Sequence, residues 1–211
     1  GGVYLHAGCW GESIRVISVT FDGKVPNIEV ETVPILPGAD VDRSIQSIVT
    51  AATLAFLPTE AREVIATLPT AMNRADRILF APDAVRKATG ADLALLNHSA
   101  FGATLGKGPL RVYDLDNFVR FDGPAVVAEV DAETLTTILS HANQDDRAAL
   151  DARTGDFVHA RDLTPEAGRV YRVATSGWVA GRQMAYLGVR GLDFVPVPGV
   201  AIPSSVQVEL R

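Results

Sequence analysis

Apolar and polar residues alternate along residues 13–21, with β-branched side chains at most of the apolar positions, and Asp22 and Gly23 follow as a turn signal. The alternation resumes over residues 26–35 through Ile28, Val30 and Val33. Residues 3–7 also read as a strand, with a turn over Gly8 to Gly11, so the opening stretch predicts a β-meander. Pro37 and Gly38 break this pattern. Asp40 or Asp42 then stands as the N-cap of a helix running to Leu57. That helix puts Val41, Ile45, Ile48, Val49, Ala52 and Phe56 on one face, and Pro58 stops it.

From residue 61 the periods are mixed. Strands are predicted over 62–68, over 92–96 ending at Asn97, over 124–130 and over Tyr171 to Thr175. Helical spacing covers 73–89, interrupted by Pro82, then a short piece near 112–118, and 132–142 with Leu135, Ile138 and Leu139 inward. Residues 143–168 are polar and irregular. A short helix follows to Leu187, and 192–197 and 205–210 read as closing strands. Interleaved helices and strands predict an α/β (α+β) layered domain with a mixed sheet.

The composition narrows the chemistry. Of 211 residues, 47% are hydrophobic and 21% charged, which suits a globular domain rather than a disordered chain. The net charge of −6, with no Lys/Arg block, argues against nucleic-acid binding by phosphate neutralisation. A small anion would be met by a few placed donors. No apolar run reaches the ~18 residues that span a bilayer. The chain opens on Gly1 without an initiator Met and already reads as a strand, so upstream sequence is expected. One cysteine, Cys9, excludes an internal disulfide and a cysteine metal cluster. The four histidines (His6, His98, His141, His159) show no metal-ligand spacing. Asp114, Asp116 and Asp122 cluster locally, but their spacing is not that of a calcium loop, and a solvated face is the expectation.

Three collinear stretches carry a resemblance. The first is Ala91-Asp-Leu-Ala-Leu-Leu-Asn97, followed by Gly106-Lys-Gly-Pro-Leu110 and Val112-Tyr-Asp-Leu115. The second is Phe121-Asp-Gly-Pro-Ala-Val-Val-Ala-Glu-Val130, leading into Glu133-Thr-Leu-Thr-Thr-Ile-Leu139. The third is Tyr171-Arg-Val-Ala-Thr-Ser-Gly-Trp178-Val-Ala-Gly181. In order and spacing they resemble the C-terminal domain of the 5′-nucleotidases. Residues 1–39 are similar to the last strands of the metallophosphoesterase domain that precedes it in that family. The resemblance makes 40–57 the interdomain helix and 58–211 the C-terminal-like domain, with low similarity over 143–165.

The resemblance implies the substrate-recognition part of a phosphohydrolase acting on a nucleoside, a nucleotide or another small phosphoester. Two divalent metal ions would be held by a metallophosphoesterase domain, upstream or on a separate chain. The family's metal motifs are absent here, so no catalytic residue and no cofactor is expected in this chain, which alone is expected to be inactive. A periplasmic or extracellular setting is implied in the same way.

Phe121 and Trp178 match the aromatic pair that sandwiches the base, and Asn97 matches the Asn that hydrogen-bonds it. Two departures stand out. No Arg follows Asn97 where the family reaches the phosphate, and the ribose-binding Gly-Gly-Asp after the second aromatic is replaced by residues 181–186. His98, Ser99, Arg120 and Arg182 lie in the pocket-forming loops that the resemblance defines, and are the local candidates to compensate. His98 beside Ser99 invites a nucleophile-and-base reading, but no acidic partner is evident and neighbours on an extended chain point apart. The rival reading is a non-catalytic binding or scaffold protein that kept the fold and lost nucleotide specificity.

Overall fold

The computed structural model describes residues 13–35, 42–72, 74–102, 105–120, 123–144 and 156–211. It divides into two compact units, Gly1–Leu57 and Pro58–Arg211. The strand and turn expected over 3–11, Cys9, Asp40, Val41, Phe121 and Asp122 lie outside the described residues.

In the first unit, β1 (Ser13–Asp22) and β2 (Val25–Pro34) form an antiparallel hairpin, in register from Ser13 opposite Pro34 to Asp22 opposite Val25. Gly23, at φ 61°, supplies the left-handed turn residue. α1 (Arg43–Phe56) is capped by Asp42, whose carboxylate accepts from Ser44 N at 2.8 Å and Ile45 N at 3.3 Å. Its apolar stripe of Ile45, Ile48 and Val49 is exposed, as are Val16, Val19 and Ile28 of the hairpin.

The second unit is built on a five-stranded mixed sheet. The strands of this unit are β3 (Val64–Leu68), β4 (Leu93–Asn97), β5 (Gly108–Arg111), β6 (Pro124–Asp131), β7 (Val158–His159), β8 (Val170–Ser176) and β9 (Val195–Ala201). The main sheet has the order β7-β4-β8-β6-β9, and β3 pairs with β5 separately. Among the described strands only β4 and β8 run parallel; β7, β6 and β9 join antiparallel. β9 carries Pro196 and Pro198 and stands at the edge, where a missing N–H costs no ladder bond.

Helices cover both faces. The helices are α2 (Arg74–Thr89), α3 (Val112–Phe118), α4 (Ala132–His141), α5 (Gly177–Ala180), α6 (Gln183–Leu187) and α7 (Ile202–Leu210). On one face, Ala81 and Val85 of α2, Phe118 of α3 and Val206 of α7 pack with Ala94 and Leu96 of β4. On the other, Leu135 and Ile138 of α4 and Leu187 of α6 pack with Leu93 and Leu95. β4 is therefore buried along its whole length, and its unbroken apolar run reflects that.

Three readings of the sequence change. Pro82 does not interrupt the helix: α2 runs through it, because Ala81, Ala84 and Val85 anchor both sides of the proline to the core. Residues 205–210 are not a strand but most of α7, which starts with Pro203 in its first turn. The alternating Val206, Val208 and Leu210 suggested β, but burial follows helical spacing through Ile202, Ser205 and Val206. Asp114, read as part of a solvated acidic cluster, caps α3 by accepting from Arg111 N at 2.7 Å.

The helix and strand readings of 205–210 differ in which residues share a face. Val206 is 0% exposed and Val208 is 73% exposed. Val208→Lys should change stability by less than about 0.5 kcal/mol in urea unfolding. Val206→Lys should cost several-fold more or prevent folding. Equal, large losses for both would place the two side chains on one buried face and restore the strand.

Candidate functional site

The parallel pair β4 and β8 ends at one edge of the sheet, in register Leu93–Val173, Ala94–Ala174 and Leu95–Thr175. Asp92 pins the start of the pair: its carboxylate accepts from Arg172 N at 2.8 Å and from Arg169 at 2.6 Å. Thr175 adds a buried bond to Leu95 O at 2.6 Å. With the register held, β4 delivers Asn97 and the single turn His98–Ala100, and β8 delivers Ser176, Gly177 and Trp178. Ligand crevices in open α/β sheets lie outside the carboxyl ends of parallel strands. Here a pocket of about 210 Å³ lies at that edge, lined among others by Asn97, Gly123, Pro124, Ser176, Trp178 and Ile202.

A carboxylate organises this edge. Asp156 Oδ1 accepts from Ser99 N at 2.8 Å. Its Oδ2 accepts from Asn97 Nδ2 at 2.9 Å, from Tyr186 OH at 2.9 Å and from Ser99 Oγ. Trp178 Nε1 donates to Tyr186 OH at 2.9 Å, and Asn97 Nδ2 also donates to Ser99 Oγ at 2.8 Å. Both hydroxyls thus accept one bond and pass one on, an order that polarises each link toward the carboxylate. Burial pushes the Asp156 pKa up, but the bonds from Ser99, Asn97 and Tyr186 outweigh it and hold the group below its ordinary range. Burial, with the neighbouring carboxylate, pushes the Tyr186 phenol up, so it stays a donor. Asn143 steadies the segment that follows Asp156, with its amide bonded to both Ala160 O and Ala160 N at 2.7 and 2.8 Å.

The residues singled out from the sequence fall as follows. Asn97 and Trp178 line the same pocket. Asn97 is 2% exposed and its amide nitrogen donates inward, to Ser99 and Asp156, which leaves Oδ1, an acceptor, as the atom to offer a ligand. Phe121 lies outside the described residues; Gly123 beyond it lines the pocket. His98 is stacked on Phe157, with ring centroids 5.3 Å apart and planes 6° apart, and tilted against His159 at 6.1 Å. Ser99 has an acidic neighbour that the sequence did not reveal, but Asp156 meets the serine and not the imidazole. That is not the order of a Ser–His–Asp relay. Arg120 donates its backbone N–H to Ala100 O at 3.0 Å, and its stem covers Gly102, where a Cβ would come within 2.0 Å of Asn117 O. Arg182 lies over Trp178, its guanidinium carbon 3.3 Å from the ring centroid.

Sequence reasoning missed Asp156 and Tyr186. Asp156 falls in the stretch of low similarity. Tyr186 had a signal: Trp178, Arg182 and Tyr186 recur at i, i+4 and i+8, the spacing of one helix face. No group of three or more His, Cys, Asp or Glu among the described residues is placed to hold a metal ion.

A layered α/β domain with a small pocket at the carboxyl ends of its parallel strands is the class that fold and site define. Residues 70–173 match the family model described as 5′-nucleotidase, C-terminal domain. That match supports a C-terminal domain of the 5′-nucleotidase family over these residues, and the mixed α/β fold is the one expected of it. Among solved structures it is similar to a 5′-nucleotidase precursor from Thermus thermophilus, with a TM-score of 0.63, 16% identity, 95% of this chain and 47% of that one covered. It is also similar to the NAD nucleotidase of Haemophilus influenzae, with a TM-score of 0.56 and 14% identity over 79% of this chain and 38% of that one. The sulfate thiohydrolase SoxB of Thermus thermophilus gives 0.55 and 14% over 95% and 42%. The chain spans less than half the length of each of these structures. No curated protein sequence matches it.

Asp156 should make stability depend on pH. A carboxylate whose folded pKa is lowered contributes stability at and above the ordinary aspartate range, near about pH 4, and loses it as the pH falls through the folded value. Urea unfolding of the wild type should therefore weaken on acidification more than that of Asp156→Asn, which should be less stable at neutral pH and flatter below it. Parallel profiles for the two proteins would remove Asp156 from the role of organising charge.

Proposed function

We propose that this chain is the substrate-recognition part of a 5′-nucleotidase-like phosphohydrolase, with nucleosides, nucleotides or related small phosphoesters as its ligands. The observation that carries this reading is the meeting of Asn97 and Trp178, from the ends of two parallel strands, in one pocket of a 5′-nucleotidase C-terminal domain. An indole face stacks on any base, and stacking is worth about 1–3 kcal/mol per base. Phe121 is the proposed second face. The hydrolytic step would belong to a metallophosphoesterase domain holding two divalent cations, which polarise the phosphoryl group and supply the attacking hydroxide. The described residues here do not fit such a centre, and this chain's part is to bind and orient. The exposed apolar stripes of the hairpin and of α1 suit strands and a helix that adjoin a further domain. A periplasmic or extracellular setting belongs to the same proposal; no helix among the described residues is long and apolar enough to cross a membrane.

A second reading, a binding or scaffold protein without nucleotide specificity, is favoured by two contacts. Arg182 occupies one face of Trp178, and the Asn97 amide is turned inward to Ser99 and Asp156. Titrating the whole chain with adenosine and with AMP separates the two, read by tryptophan fluorescence and checked by calorimetry. The recognition role predicts saturable binding, weakened about tenfold or more by Trp178→Ala and by Phe121→Ala. Absence of binding at millimolar ligand would leave the scaffold reading.

A further inference from the structure

Cations in the second unit are paired with carboxylates at several places. Arg86, Lys87 and Arg161 surround Asp83, Lys87 also meets Glu209, and Arg169 meets Asp92. Like Arg111 and Arg172, Arg182 and Arg190 are in no ion pair among the described residues. Arg182 and Arg190 line one open cleft of about 440 Å³, together with Gly181, Gln183, Met184 and Gly191, and no acidic residue lines it.

The cleft is a built feature. α6 ends at Gly188 (φ 70°), and Gly191 (φ 79°) lets the chain turn back. Gln183 fastens the returning loop: its amide nitrogen donates to Leu192 O at 2.7 Å, and its carbonyl accepts from Leu192 N at 2.9 Å. Arg190 is thereby brought to the same cleft as Arg182. Arg182 is itself held by its stacking on Trp178, a contact that uses the guanidinium face and leaves the edge N–H groups available for a bidentate acceptor. Two like charges held around one opening, in a chain of net charge −6, repel each other unless a shared counter-charge enters.

We propose that this cleft is an anion site for a phosphate-type dianion, with Arg182 as the forked contact and Arg190 as the second charge. The anion is either free phosphate or pyrophosphate, or the phosphate end of a ligand whose flat part lies against Trp178. The site itself stands apart from the nucleotide reading; only the second source rests on it. The cleft also supplies, from other elements, the phosphate contact that is missing after Asn97.

The test uses the whole chain carrying Trp10→Phe, so that one indole N–H resonance, that of Trp178, remains. Pyrophosphate and inorganic phosphate are titrated at constant ionic strength set by chloride, with acetate as the monoanion control. The expected result is a saturable shift of the indole resonance and of an arginine Nε–H. Affinity should fall about tenfold in Arg182→Ala and in Arg190→Ala, and less in Arg182→Lys, which keeps the charge without the fork. No saturation at tens of millimolar, equal binding of acetate, or unchanged affinity in the Arg182→Ala, Arg190→Ala double variant would overturn the site. Adenosine, AMP and ADP distinguish the sources. Phosphate binding without adenosine binding keeps the cleft and removes the nucleotide. Adenosine binding with no gain from the phosphates of AMP or ADP, and no phosphate binding, removes the cleft and keeps the nucleoside.

Discussion

The parallel pairing of β4 with β8 is the constraint on which the site depends. Every residue of β4 is buried, so the strand cannot slip by one position without moving an apolar set out of one core and into the other. Asp92 fixes one end of the pair through Arg172 N and Arg169, and Thr175 bonds to Leu95 O further along. Because the two strands point the same way, their carboxyl ends emerge together. Asn97 and Trp178 are neighbours for that reason and not because of any local preference of their own.

Once the strand ends are side by side, Asp156 joins them. It draws donors from the turn after β4 and, through Tyr186, from the aromatic residue after β8. A half-buried carboxylate with four such donors is a stable arrangement, since each bond to a charged acceptor exceeds a neutral one and together they offset its desolvation. The same bonds direct Asn97 inward and set the tilt of the indole. The pocket is pre-organised as a result, and the polar side chains in its lining are Asn97, which offers its carbonyl, and Ser176, beside the indole of Trp178.

The contrast between the site and the surrounding surface is electrostatic. Several cations of the domain are matched to carboxylates, while the cleft that Arg182 and Arg190 line has no acidic residue in its lining. Chemistry on a phosphoester requires activation of water, for which the described residues hold no metal-binding cluster. What they do hold is a half-exposed indole with the Arg182 guanidinium over its ring.

Much of the fold was legible in the sequence, for physical reasons. The hairpin, α1 with its Asp42 cap, β4, β6, α4 and β8 are strong local patterns whose period matches their environment, and the tertiary packing agrees with them. The α/β class followed from their order, and the family from three collinear stretches. Residues 205–210 misled because a short apolar alternation fits either period, and the packing of Val206 against the sheet decided it. Pro82 misled because a proline weakens a helix locally, whereas core contacts on both sides keep it whole. The sequence determined by itself which residues end the two parallel strands. Only the tertiary structure decided that Asp156, from a stretch with no pattern, takes the hydrogens of Asn97 and Ser99, and that Arg182 covers Trp178. Hydrogen bonds between residues far apart along the chain leave no periodic trace in it; they exist only once the strands that bring them together have paired.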